Sequence, residues 1–305
     1  MRDPLRSCLV SSLAILCAAT CTWAAEVYEV KVTEGKHADI IGPSGPLVRY
    51  MFERDKSTPE LTFDTAKVFA HVMAPGGKET LTKGPGGKFP HHRGIFIGWN
   101  RISHGGKQHD LWHVRNTELK HREFLTTEGD KNGGTITSKI DWIGVTGKPI
   151  IEEKRTYRVI GTSDAYAVID FVSELTAVDG DALLDGDPEH AGVQFRPSQK
   201  VAENGSAKYT FHEEEIDPKK DHDLPWVACT FRIDDQPWTV QHMNHPSNPK
   251  GAIWSAYRDY GRFGPFPKFQ LKDGETKTLR FRFRVTKGEA PAQAEMTKQY
   301  EQFAE

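Results

Sequence analysis

The chain has 305 residues, with 40 Lys and Arg against 42 Asp and Glu and a formal charge of −2 at neutral pH. So balanced a chain excludes nucleic acid and acidic membrane surfaces as evident partners. Of four cysteines, Cys8, Cys17 and Cys21 fall within the first 25 residues, so the rest of the chain keeps Cys229 alone and no intramolecular disulfide is expected.

In chain order, the first predicted element is a secretory signal peptide. Arg2 and Arg6 precede the apolar run Cys8 to Leu16, and small residues continue to Ala24 and Ala25. The run is too short to stay in a bilayer as a stop-transfer helix. Residues 1–25 are therefore expected to be cleaved, leaving a secreted or periplasmic protein with no transmembrane segment.

From 26 to 288 the pattern predicts one all-β domain, a large antiparallel β-sandwich with long loops. Apolar residues alternate at Tyr28, Val30 and Val32, at Ile136, Ile140 and Trp142, and at Tyr157 and Val159. Alternation is clearest over Thr278 to Val285, where Leu279, Phe281, Phe283 and Val285 interleave with mostly basic residues; this is a strand with one wet face. The nearly continuous apolar run Ala165 to Leu175 predicts a central strand covered on both faces. Turns fall at Asn132-Gly133-Gly134, Thr146-Gly147-Lys148-Pro149 and Lys272-Asp273-Gly274. In Val227-Ala228-Cys229-Thr230-Phe231 the same alternation makes Cys229 a buried, inert thiol. The tail, 289–305, is expected to dock as a short helix through Met296, Tyr300 and Phe303, spaced by four and three.

Long irregular stretches lie at Pro75 to Pro90, Ser103 to His113, Asp179 to His190 and Met243 to Pro267. Segments of that length inside a compact β fold commonly bind something. Three blocks in or beside them hold the chemistry. The first is Phe89-Pro90-His91-His92-Arg93-Gly94, followed by His109-Asp110-Leu111-Trp112-His113. Imidazole titrates near neutrality and ligates metals, while guanidinium presents a planar fork to oxygens. In a regular strand His91 and His92 would point to opposite faces. The second block is Glu189-His190-Ala191-Gly192-Val193-Gln194-Phe195-Arg196, where alternation puts His190, Gln194 and Arg196 on one side. The third is His242-Met243-Asn244-His245-Pro246-Ser247-Asn248-Pro249, a fixed polar turn, with Arg258-Asp259-Tyr260-Gly261 beyond it.

These blocks, with the Arg258 to Gly261 segment followed by Phe263, resemble the PmoA-like family from about residue 27 to 287. Members carry the label methane oxygenase, although no membrane helices or copper-oxidase pattern occur in this chain. The resemblance implies a supersandwich similar to aldose mutarotases, in which polar residues from several strands hold a sugar.

The leading functional expectation is a carbohydrate-active protein outside the cytoplasm, an isomerase, lyase or hydrolase acting on a small-molecule or oligosaccharide ligand. His92, His190 and His245 are the candidate catalytic residues. His91, Arg93, Trp112, His113, Gln194, Arg196, Asn244, Arg258, Asp259 and Tyr260 are the candidate substrate-binding residues. No H-E-x-x-H spacing, P-loop, dinucleotide fingerprint or G-x-S-x-G is present, so no cofactor is named and no metal ligand is assigned. Two alternatives stand beside this: a metal enzyme whose ligands converge from His91, His92, His113, His190, His245 and Asp110, and a non-catalytic glycan-binding module.

Overall fold

The computed structural model describes residues 27–187 and 189–305, so the expected signal peptide, 1–25, lies outside the described residues. The chain opens with strands β1 (Glu29–Thr33), β2 (His37–Gly42) and β3 (Gly45–Met51), then helix α1 (Pro59–Asp64) and β4 (Phe69–Val72). After a long loop come β5 (Ile95–Trp99), β6 (Ile102–His104) and β7 (Lys107–His109), followed by the long strands β8 (Glu118–Asp130), β9 (Gly133–Ile143), β10 (Pro149–Ile160) and β11 (Ala167–Ala177). Next are β12 (Ala182–Leu184), β13 (Ala191–Phe195), α2 (Gln199–Asn204), β14 (Lys208–Phe211), β15 (Trp226–Ile233) and β16 (Gln236–Asn244). The last elements are β17 (Ile253–Trp254), β18 (Pro265–Phe266), β19 (Phe269–Leu271), β20 (Thr276–Lys287) and α3 (Gln293–Ala304).

Two antiparallel sheets dominate. One has six strands in the order β1-β2-β3-β4-β5-β13, and the other eight in the order β14-β15-β16-β20-β11-β10-β9-β8. Their inner faces merge into one core. Ile40, Val48 and Ile97 from the first meet Ile136, Phe171 and Phe281 from the second, and the rings of Tyr50 and Tyr157 approach to 5.8 Å across the gap. The all-β sandwich expected from the alternation is what forms.

Strand β20 shows why. Side chains alternate between faces with period two, so Leu279, Phe281, Phe283 and Val285 all enter the core, each burial stabilising by about 1.5–3 kcal/mol. On the other face Arg282 donates from Nε to Asp170 Oδ1 at 2.6 Å, its register partner on β11. Strand β11 itself departs from expectation. Its inner face is buried, but Asp170, Val172, Glu174 and Thr176 leave the outer face only half-covered. The apolar run conceals a two-faced strand whose outer residues are shielded by long cross-strand side chains, not by another layer. Cys229 lies buried in the core beside Val227 and Phe231, and burial pushes its thiol up.

Helix α3 covers part of the outer face of the eight-stranded sheet. Met296 packs on Trp226, Ala228 and Met243, with Tyr300 and Phe303 alongside. Inside the sandwich, β10 also carries a polar network. Arg155 donates from Nε and Nη2 to Glu153 Oε1 and Oε2 at 2.8 and 2.6 Å. The same carboxylate accepts from Trp142 Nε1 and from Ser173 Oγ, each at 2.7 Å.

Candidate functional site

The histidine cluster sits on the outer face of the six-stranded sheet, over β5 and β13. Alternation sends Ile97, Trp99, Val193 and Phe195 inward and leaves Phe96 and Gln194 outward. Segments 83–94, 110–117, 185–187 with 189–190, and 255–264 fold down onto that face. Two glycines let them come close. A methyl group at Gly98 of β5 would lie 2.6 Å from the Leu111 carbonyl oxygen. At Gly192 of β13, whose φ is +77°, it would lie 2.1 Å from the Pro265 carbonyl oxygen.

Two of these segments carry the same device. Asp110 accepts from the backbone N–H of Trp112 and His113 at 3.2 and 2.8 Å, and its second oxygen meets His113 Nδ1 at 2.8 Å. Asp187 accepts from the Glu189 backbone N–H at 3.1 Å and meets His190 Nδ1 at 2.6 Å, while Asn100 Nδ2 donates to its other oxygen. Burial opposes ionisation of both carboxyls. The hydrogen bonds win, His113 and its amide at Asp110 and His190 with Glu189 and Asn100 at Asp187, and hold both below the usual range. An ionised carboxylate at Nδ1 fixes the proton there and leaves the Nε2 lone pair free on each ring.

The two rings lie 4.9 Å apart. His91 stands 4.4 Å from His113 and 4.3 Å from His92, and Trp112 packs edge-on to His190 at 5.8 Å and to His92 at 5.7 Å. Burial lowers the pKa of His190 despite Asp187, with His113 and Arg262 adding to the effect. Its imidazole is therefore uncharged at neutral pH. Burial pushes His91 and His92 down much further, helped by Lys67 at the first and Arg262 at the second.

Beneath and beside the rings are cations that the fold has buried. Lys67 donates to the carbonyls of Trp112 and His91, and burial, with Arg93 nearby, holds its ammonium well below the ordinary lysine range. Lys83 donates to the carbonyls of Gly84 and Gly86, and burial takes it down to about 8. Arg262 Nη1 donates to Gln194 Oε1 at 3.2 Å, and Arg196 Nη1 to the carbonyls of Pro197 and Tyr260. At the rim Glu189 accepts from Tyr257 OH at 3.1 Å and pairs with Arg258.

Of the residues singled out by sequence, His91, His92, Trp112, His113, His190, Gln194, Arg196, Arg258 and Tyr260 come together here. His91 and His92 do so because they lie in a turn ahead of β5, so the rule of opposite strand faces does not separate them. Arg93 turns away, donating to the carbonyls of Asp64 and Phe63 at 2.6 and 2.8 Å at the end of α1. Asp259 is exposed; the carboxylate that orients Arg258 is Glu189. His245 is elsewhere altogether, its ring 5.3 Å from Phe303 of α3 and its Nδ1 2.7 Å from Ser247 Oγ. Asn244 accepts from Asn248 Nδ2 at 2.8 Å, so this block is a turn that anchors its own backbone. Lys67, Asp187, Tyr257 and Arg262 are additional members. Asp187 had a signal, the D-x-x-H spacing shared by Asp110 to His113 and Asp187 to His190, whereas Lys67 sits in no motif and Arg262 lies between segment 258–261 and Phe263 without being singled out. Among the described residues no three or more His, Cys, Asp or Glu side chains are grouped to hold a metal ion.

A family match runs over residues 43–301, to a family described as "Family of unknown function (DUF6807)". The chain belongs to that family. The PmoA-like resemblance is thereby corrected: the motif blocks that suggested it lie inside the span of the match, and that match is to DUF6807. No curated protein matches the chain. Among solved structures, this DUF6807 member is similar to a protein assigned as a kojibiose phosphorylase from the human microbiome (TM-score 0.40, 10% identity, covering 91% of this chain and 36% of that one). It thus spans about a third of the phosphorylase's length. It is also similar to a GalM/aldose epimerase homologue from C. elegans (TM-score 0.34, 9% identity, 86% of this chain and 99% of that one). A third is a protein assigned as an aldose 1-epimerase from Escherichia coli K12 (TM-score 0.33, 10% identity, 86% and 99%). At such scores the likeness carries no chemistry, which has to be read from the side chains. No helix among the described residues is long and apolar enough to cross a membrane.

Proposed function

We propose that this DUF6807 member is a carbohydrate-active protein in which His113 and His190 form an acid/base pair. One observation carries the reading: two imidazoles, each with Nδ1 held by its own carboxylate, stand 4.9 Å apart on separate loops. A neutral imidazole with a free Nε2 accepts a proton near neutral pH, and its carboxylate steadies the cation that results. Two such groups side by side allow one to take a proton at Nε2 from the ligand while the other, having first picked one up at Nε2 from solvent, gives it. Both side chains reach solvent, at 18% and 29% exposure, as a group meeting a substrate must.

A hydroxyl-rich ligand suits the rim. Asp187, Glu189, Tyr257 and Arg258 offer acceptors and donors in alternation, and Phe89, 38% exposed, offers an apolar face for the C–H side of a sugar ring. Action outside the cytoplasm is part of the proposal and is supported by the N-terminal pattern of Arg2, Arg6 and the apolar run after them. N-terminal sequencing of exported protein should begin near Glu26.

The test is a panel of reducing sugars and oligosaccharides monitored by NMR for anomer exchange, epimerisation or cleavage, with wild type beside His113→Ala and His190→Ala. Turnover lost in both variants supports the pair. Unchanged turnover in both overturns it. Binding without turnover on any member of the panel would make the protein a glycan-binding module.

A further inference from the structure

The nitrogen atoms below the imidazole pair are short of acceptors. Arg196, Arg262, His92 and Trp112 are each at most 2% exposed. Among the described residues, Nε and Nη2 of Arg196, Nε of Arg262, both ring nitrogens of His92 and Nε1 of Trp112 have no hydrogen-bond partner, nor has Nε2 of His91. Ring and guanidinium contacts link the groups that carry them. The Arg262 guanidinium lies 5.4 Å from the Trp112 ring and that of Arg196 4.9 Å from the Tyr260 ring, with the His92 ring between them, 5.7 Å from Trp112 and 6.1 Å from Tyr260.

A guanidinium stays charged and has only donors, and a buried donor left unpaired is costly, more so when it is charged. Arg155, buried between the sheets, has the Glu153 carboxylate for that need. Here the protein supplies Arg196 and Arg262 with carbonyl and amide oxygens alone. A planar oxyanion is the group that answers guanidinium forks left open in this way.

We infer that the ligand is a carboxylate-bearing saccharide, a uronate or aldonate, whose carboxylate docks on Arg196 and Arg262 next to His92 and Trp112. This rests on the saccharide reading above and gives its substrate class. Trp112 and His92 touch His190 and His91 respectively, so a carboxylate held there places the rest of the sugar under the acid/base pair. The cover over these donors is a surface segment. Phe89, at φ 58°, packs its ring 5.3 Å from His92 and 5.0 Å from Tyr260. It follows Gly86 and Gly87, both in the left-handed region. Lys88 lies 5.3 Å from the Tyr260 ring and adds positive charge at the entrance.

Isothermal titration of the full chain with D-galacturonate and D-glucuronate, against D-galactose, D-glucose, acetate and inorganic phosphate, decides it. The uronates should bind about tenfold to a hundredfold more tightly than the neutral sugars, the range set by one or two charge-assisted hydrogen bonds. Arg262→Gln should erase most of that preference, read as the ratio of uronate to neutral-sugar affinity within the same variant. If that variant does not fold, the wild-type protein should still prefer each uronate over its methyl ester, which keeps the sugar and loses the charge. Equal affinity for uronates and neutral sugars overturns the carboxylate assignment and leaves the saccharide reading standing. Acetate or phosphate matching the uronates, or no binding by any sugar, overturns both.

Discussion

Arg155 and Arg262 are cut off from water to the same degree, at 0% and 1% exposure, yet they live in opposite circumstances. Arg155 lies between the sheets with a bidentate carboxylate that is itself completed by Trp142 and Ser173. Arg262 lies under the loops of the outer face with one amide oxygen and an idle Nε. A closed polar network belongs to the architecture, because every member already has what it needs. An open one, held in place by backbone carbonyls, is arranged for something the chain does not contain. Burial alone therefore does not tell these two arginines apart; completeness of partners does.

The largest effect that sharpens this comparison is expected in the closed network. Glu153→Ala strands a buried guanidinium and should cost about 3–5 kcal/mol in chemical denaturation. A loss under about 1 kcal/mol would show that the network is not part of the architecture. In the open cluster the order reverses. His190→Ala or Asp187→Asn should reduce turnover by about a hundredfold or more while the denaturation midpoint stays within about 1 kcal/mol of wild type. An equal loss of stability would erase the distinction.

Acid provides a third test. Burial keeps His242 neutral, with its pKa near 3, and His71 near 4, helped there by Arg49. Unfolded histidine takes up a proton near pH 6.5, so below that pH the unfolded state binds protons that the native state refuses. Stability should fall as pH drops from about 6.5 towards 4, by up to about 1.4 kcal/mol per pH unit for each such group. His242→Met should flatten the slope between those values, as followed by thermal melts across pH; an unchanged slope would assign the acid sensitivity to other groups. The smallest effect belongs to His245. Its replacement by alanine should change stability by no more than about 0.5 kcal/mol and turnover not at all. A catalytic defect there would contradict its placement against α3.

The fold was legible where burial alone dictates residue type. The odd positions of β20 and the spacing of Met296, Tyr300 and Phe303 on α3 each reflect a single apolar face meeting a single partner surface. The site was legible only in part. His91, His113 and His190 announce themselves as imidazoles in loops, and the doubled D-x-x-H spacing was open to reading. Lys67 was not, since an isolated cation becomes a site member only when the sheet brings its loop to the others. His245 shows the converse: an Asn-His-Pro turn uses the same hydrogen-bonding residues whether it serves a substrate or merely its own backbone.

Gly98 and Gly192 give the scaffold two notches on an otherwise side-chain-covered face. Each is the place where a loop rests, one beneath the strap that carries His113 and the other beneath the stretch leading from Arg262. A single added carbon at either glycine thus works as a shim: it lifts one side of the cluster without replacing any of its polar side chains. Such a shim separates alignment from reactivity, and a family that varied its ligands could do so by adjusting these two contacts while leaving the imidazoles untouched.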